Sequence, residues 1–160
     1  MNRFFKTVLL TGLFVGTTDL VSAYVSSAIR TGNFPRKMLY YIAAGAIGLK
    51  TSLEGGNLTA FLGLFFHYFI SFSFTLFFFW IFPHIKILAF NKWLVGMLYA
   101  VFVNLVMNLL VLRFCQLPYS PFSLADSVMD WVILGVLFGI PIVYNAYGYY
   151  GKNIKTLKPT

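Results

Sequence analysis

Hydrophobic residues in this chain are gathered into long runs that are separated by short polar or basic stretches. The long runs cover about residues 4–29, 58–82, 93–112 and 124–147. Each reaches the roughly 20 apolar residues that a helix needs to cross the hydrocarbon core of a bilayer. The pattern therefore predicts an all-α, polytopic membrane protein in which residues 1–160 form one domain, a bundle of four transmembrane helices.

A shorter apolar run lies between the first two spans. It extends from Met38 to about Leu49, between the basic residues Arg36 and Lys50. At 1.5 Å per residue this run is about 18 Å long, whereas the bilayer core is about 30 Å thick. Residues 38–49 are therefore predicted to form a short helix that lies in the membrane interface or re-enters the membrane.

The boundaries of the later spans are marked by aromatic residues and prolines. Pro83 follows the aromatic-rich second run, and a short turn leads to Trp93 and the third run. Such a short connection predicts antiparallel neighbouring helices. Pro141 lies within the fourth run, where it should kink the helix because it removes a backbone donor.

The first run also has features of a signal peptide. Arg3 and Lys6 precede an apolar stretch, and Val21-Ser22-Ala23 resembles the small-residue cleavage site of a signal peptide. Asp19 just before that site, and the apolar residues that continue to Ile29, favour a retained span. Cleavage of residues 1–23 is the alternative.

Composition and charge support a membrane protein whose expected partner is the lipid bilayer. The chain is 59% hydrophobic and 10% charged, whereas soluble domains carry about 25% charged residues. The net charge of +8 comes from Lys and Arg residues that flank the apolar runs, as expected for headgroup contact and not for nucleic-acid binding. The single cysteine, Cys115, has no partner for an internal disulfide.

The distribution of basic residues predicts the orientation of the chain. With both termini in the cytoplasm, seven Lys and Arg residues lie on the cytoplasmic side and five in the outer loops. Cytoplasmic loops favour basic residues. We therefore expect cytoplasmic termini in a bacterial inner membrane.

Polar residues interrupt every predicted span at a similar depth. A carboxylate at the centre of a span costs roughly 2.5 kcal/mol or more, so such residues face the bundle and suggest a function. Asp126 lies one turn from the last member of this set. The predicted polar layer consists of Asp19, His67, Asn104, Asn108 and Asp130.

The polar layer has a functional and a structural interpretation. We expect Asp19 and His67 to point inward and approach each other, because the first two spans are neighbours in sequence. A carboxylate beside an imidazole can relay a proton or bind a cation. Polar side chains in membrane bundles also serve as interhelical hydrogen bonds of about 0.6 kcal/mol, without any ligand.

Two pairs of glycines are spaced to form helix contacts. Gly12 and Gly16 are four residues apart in the first span, and Gly135 and Gly139 in the fourth. Small residues at this spacing let helix backbones approach closely. Internal packing of spans one and four is the prediction, and homo-oligomerisation or docking of a membrane partner protein is the alternative.

The sequence identifies no catalytic residue, metal ligand or cofactor. It lacks a zinc-binding His-Glu-x-x-His pair, a Gly-x-Ser-x-Gly elbow and a phosphate-binding loop. His67 and His84 are about 25 Å apart on one helix, too far for one haem. The cofactor is therefore unknown, and an enzyme acting on lipid or quinone is only a third interpretation.

Two short stretches suggest a relationship to known proteins. They are Gly-Thr-Thr-Asp at residues 16–19 and Gly-Leu-Phe-Phe-His-Tyr-Phe at residues 63–69. With the four apolar runs, they resemble uncharacterised bacterial inner-membrane proteins of the YagU-like family. The resemblance implies a four-span fold and an inner-membrane location. Function remains divided between handling of a small solute or ion through the polar layer and a non-catalytic structural or accessory role.

Overall fold

A computed structural model of the chain describes residues 2–107 and 124–151, except for the side chains of 124–127. All regular structure in these ranges is helical, which confirms the all-α class. A 3₁₀ turn, Lys86–Ala89, precedes α5, and a π-helical turn, Gly135–Gly139, joins α6 to α7. The α-helices are α1 (Arg3–Thr31), α2 (Met38–Ile47), α3 (Leu49–Glu54), α4 (Gly56–Ile81), α5 (Lys92–Val106), α6 (Leu124–Leu134) and α7 (Ile140–Tyr150).

Three helices in the described part of the chain are long and apolar enough to cross a membrane. They are α1, α4 and the segment Val128–Tyr150, which includes α7. These helices coincide with the first, second and fourth predicted spans. Helix α5 has 15 residues, or about 22 Å, and residues 108–112 of the third predicted span lie outside the described residues.

Helices α2 and α3 form a short hairpin that packs against α4. Gly48, with φ of +81°, joins the two helices, and the Ser52 hydroxyl donates a hydrogen bond to the Tyr40 carbonyl oxygen. Gly63 of α4 abuts the backbone of Leu39 and Ala43. With ten residues, α2 is the short helix predicted after the first span. Its position in the interface or the membrane remains a prediction.

One end of the bundle is closed by aromatic side chains. Phe78 and Phe79 at the end of α4 are fully buried. Tyr99 of α5 donates a hydrogen bond to the Phe74 carbonyl oxygen at 2.6 Å, and Tyr150 of α7 donates one to the Phe79 carbonyl oxygen at 2.9 Å. We call this packed region, where α1 and α5 begin and α4 and α7 end, the aromatic end.

The glycine pairs lie in helix contacts within the chain. A Cβ atom on Gly12 would overlap the Phe72 ring of α4, and one on Gly16 would lie 3.0 Å from the Tyr68 ring. Gly139 abuts the carbonyl oxygen of Gly96 in α5, and Gly135 abuts the Met97 side chain. The first pair therefore packs α1 on α4, and the second packs the last helix on α5.

The last helix is irregular just before Pro141. The Ile140 amide donates to the Gly135 carbonyl oxygen five residues earlier. Pro141 has no N–H, so the Leu137 carbonyl oxygen lacks its usual α-helical donor. The Thr18 hydroxyl of α1 lies 2.9 Å from that oxygen and donates to it; the Phe14 and Val15 carbonyl oxygens of its own helix are farther, at 3.1 Å. A π-turn thus precedes Pro141, and the Leu137 carbonyl oxygen in it is bound by a neighbouring helix. The kink predicted at Pro141 stays a prediction.

Candidate functional site

The Gly-Thr-Thr-Asp stretch of α1 joins three helices. The His67 Nε2 atom lies 2.8 Å from the Gly16 carbonyl oxygen, and the Thr17 and Tyr68 hydroxyl oxygens are 2.8 Å apart. A carbonyl oxygen can only accept, so Nε2 of His67 carries a proton and donates it. Because Thr18 bonds to the last helix, consecutive residues of one turn connect α1 to α4 and to the π-turn.

A polar cavity of about 340 Å³ begins beside this stretch. Its lining includes three members of the predicted polar layer, contributed by α1, α5 and α6. Four hydroxyl groups and one guanidinium from α1 complete its polar surface. We call it the polar cavity, and its polar lining residues are Asp19, Ser22, Ser26, Ser27, Arg30, Thr31, Asn104 and Asp130.

Most charged and amide groups of the polar cavity are engaged across helices. Arg30 of α1 forms an ion pair with Asp130 of α6, and both side chains are partly exposed. The Trp131 indole N–H donates to the Asn104 Oδ1 atom at 2.9 Å. These contacts fix α6 against α1 and α5, and the ion pair neutralises one carboxylate of the cavity.

Asp19 differs from the other charged residues of the polar cavity. Its side chain is half-buried, and within the described residues its carboxylate accepts no hydrogen bond and has no ion-pair partner within 4 Å. Ser22 bonds only to the Asp19 main-chain carbonyl, at 2.8 Å. The carboxylate therefore meets the cavity without a hydrogen bond from the part of the chain that the structure describes.

The structure brings together some of the predicted polar residues and separates others. Asp19, Asn104 and Asp130 line the polar cavity, while His67 lies outside its lining and bonds to the α1 backbone. Asn108 lies outside the described residues, as does the side chain of Asp126.

Sequence reasoning missed the serines and Arg30. Ser22, Ser26 and Arg30 follow Asp19 at intervals of three, four and four residues, a spacing that places all of them on one helix face. This polar face on the second half of α1 is visible in the sequence and would have indicated the serines and Arg30. Serine is small and only weakly polar, so the serines do not interrupt the apolar run. Arg30 lies where the span ends, so it was assigned to the flanking region.

The donor set of the polar cavity suits a nitrogenous cation. No group of three or more His, Cys, Asp or Glu side chains that could hold a metal ion occurs within residues 2–107 and 128–151. The Asp19 carboxylate, which has no ion-pair partner among the described residues, and the hydroxyl oxygens along the cavity can accept hydrogen bonds from N–H groups. The volume of about 340 Å³ corresponds to about eleven water molecules at roughly 30 Å³ each, which is enough for a solute of several heavy atoms.

No protein-family model, no curated protein and no solved structure matches this chain.

Proposed function

We propose that this chain is a four-span bacterial inner-membrane protein that binds a small nitrogenous cation, carrying an ammonium or guanidinium group, in the polar cavity. The observation that carries the proposal is the Asp19 carboxylate, which meets the cavity without a hydrogen-bond donor among the described residues. Handling of such a solute across or within the membrane is the corresponding function.

The balance of charge in the polar cavity favours a cation. Within the described residues Asp130 is paired with Arg30, whereas Asp19 has no ion-pair partner, so Asp19 supplies the negative charge that a ligand would meet. A carboxylate in a low-dielectric setting is costly unless it is paired. A bound cation with N–H donors would supply both the charge and the hydrogen bonds, and a guanidinium group can do so through two parallel bonds.

The position of the cavity supports access from one side. It extends from Asp19 to the exposed residues Arg30 and Thr31 at the end of α1, about 18 Å along the helix axis. The aromatic end closes the opposite side of the bundle. With both termini in the cytoplasm, the polar cavity would open outward, and transport would require the aromatic end to loosen.

A non-catalytic structural or accessory role is the second candidate. It is favoured by the interhelical contacts of Thr18, Asn104 and Asp130, each of which holds two helices together. The surfaces around both glycine pairs are covered by other helices of the same chain, so a second copy or a partner protein would dock on other faces. Asp19 separates the two candidates, because a purely structural carboxylate should have a donor.

Uptake of radiolabelled guanidinium into proteoliposomes tests the proposal. Guanidinium keeps its charge at neutral pH and does not cross the bilayer as a neutral base. We expect uptake above that of protein-free liposomes, its loss in Asp19→Asn, and its retention in Glu54→Gln, whose carboxylate lies outside the polar cavity. Wild-type uptake equal to that of protein-free liposomes would contradict transport, and equal uptake by Asp19→Asn would contradict the assigned site.

A further inference from the structure

A second and larger cavity lies on the other side of the end of α1. It has a volume of about 800 Å³ and is bounded by the loop after α1, by α2 and by α4. The loop contributes Asn33, Arg36 and Lys37 at one end, and the helices contribute apolar side chains that include Ile42 of α2 and Ile70 of α4. The lining is predominantly apolar with a basic end. We call this space the lipid cleft.

The basic end of the lipid cleft carries excess positive charge. Arg36 and Lys37 are exposed, and no carboxylate of the described residues lies within ion-pair distance of either. Glu54 lines a smaller neighbouring cavity with both residues, which leaves a formal net charge of +1 among the three side chains. The remaining single positive charge matches the single negative charge of a phosphodiester.

The loop that carries these cations is held in place. The Phe34 ring stacks on the Tyr24 ring of α1, with centroids 5.4 Å apart, so the loop folds back along the helix that precedes it. The exposed Tyr41 ring also lines the cleft. Basic and tyrosine side chains together are typical of the headgroup level of a bilayer.

We propose that the lipid cleft binds one anionic phospholipid, with the phosphodiester at Arg36 and Lys37 and an acyl chain along the apolar wall between α2 and α4. The volume lies within the range of about 300–1,000 Å³ that is usual for ligand sites. Only Ser27 and Thr31 line both this cleft and the polar cavity. The lipid site therefore does not depend on cation binding at Asp19.

Retention of lipid by the purified full chain in detergent, measured by native mass spectrometry, tests this inference. The probes are dioleoyl phosphatidylglycerol and dioleoyl phosphatidylcholine at equal concentration. We expect preferential retention of phosphatidylglycerol, weakened about fivefold by neutralising each cation in Arg36→Gln and Lys37→Gln. Lys50→Gln is the matched control, because Lys50 is exposed and lies outside the cleft lining.

A second variant tests the acyl-chain part of the lipid cleft. Ala46→Phe places a ring in the cleft without changing charge and should weaken retention of both lipids. Inorganic phosphate at the same concentration should not displace phosphatidylglycerol. Equal retention of the two lipids, retention unaffected by Arg36→Gln with Lys37→Gln, unchanged retention in Ala46→Phe, or displacement by phosphate would each overturn the proposal.

Discussion

The Thr18 hydroxyl of α1 donates a hydrogen bond to the Leu137 carbonyl oxygen of the last helix at 2.9 Å. This is the carbonyl that Pro141, four residues later, cannot bind in α-helical fashion. The π-turn at Gly135–Gly139 and the polar face of α1 are thus joined by one hydrogen bond, one residue before Asp19. The contact fixes α1 against the last helix at the closed end of the polar cavity.

Removal of the Thr18 hydroxyl should destabilise the bundle. Thr18→Val leaves the Leu137 carbonyl oxygen without its donor in an apolar environment, with an expected loss of about 0.6–1.7 kcal/mol. Unfolding in mixed micelles with increasing SDS measures the change. Thr7→Val is the matched control, since the Thr7 hydroxyl bonds only to the Arg3 carbonyl of its own helix. Equal losses in the two variants would contradict the interhelical role.

The loss of stability on replacing a glycine by alanine should depend on what the added methyl group meets. Gly139→Ala meets the Gly96 carbonyl oxygen, whereas Gly12→Ala meets the Phe72 ring. Backbone yields less readily than a side chain, so the loss should be larger at Gly139, about 1–3 kcal/mol by the same unfolding assay. A Cβ atom on Gly148 would project into open space away from its own helix backbone, so Gly148→Ala should not destabilise. The reverse order would contradict the packing.

Release of Asp130 from its ion pair should increase cation binding. Arg30→Gln leaves a second carboxylate uncompensated in the polar cavity and should strengthen guanidinium binding several-fold at low ionic strength. Stability should fall by less than about 1 kcal/mol, because both partners are partly exposed. Equilibrium binding of labelled guanidinium provides the measurement. Weaker binding in Arg30→Gln would contradict this prediction, because it would show that the Arg30 side chain contributes to binding of the ligand.

The number of spans and their orientation can be tested with reporter fusions. With four spans and cytoplasmic termini, a reporter after Lys158 should lie in the cytoplasm and one within residues 114–122 on the outer side. Both positions lie outside the described residues. Reporters on the same side would contradict the four-span topology.

Much of the helical framework was predictable from the sequence because it follows from apolar run length. The runs at 4–29, 58–82 and 124–147 coincide with helices of membrane-crossing length. Residue count along the helices, at 1.5 Å per residue, also predicts similar depths for Asp19, Asn104 and Asp130, and all three line the polar cavity. Their depth in the membrane stays a prediction.

Rotation of the helices about their axes was not predictable in the same way. His67 bonds to the Gly16 carbonyl oxygen because the absence of a side chain at Gly16 lets α4 approach the α1 backbone. Counting residues along a helix gives depth but not the rotation of the helix about its axis. The ion pair between Arg30 and Asp130 joins residues 100 positions apart in the chain, so only tertiary packing reveals it. The lipid cleft likewise depends on how α2 lies on α4.

Equilibrium binding of guanidinium to the purified protein, with urea as the neutral analogue of the same shape, tests the central claim most directly. We expect saturable binding of guanidinium at submolar concentrations, no competition by urea, and at least a tenfold loss of affinity in Asp19→Asn, equivalent to about 1.4 kcal/mol. Glu54→Gln should bind like the wild type. Equal affinity of the wild type and Asp19→Asn, or competition by urea, would contradict a cation site at Asp19.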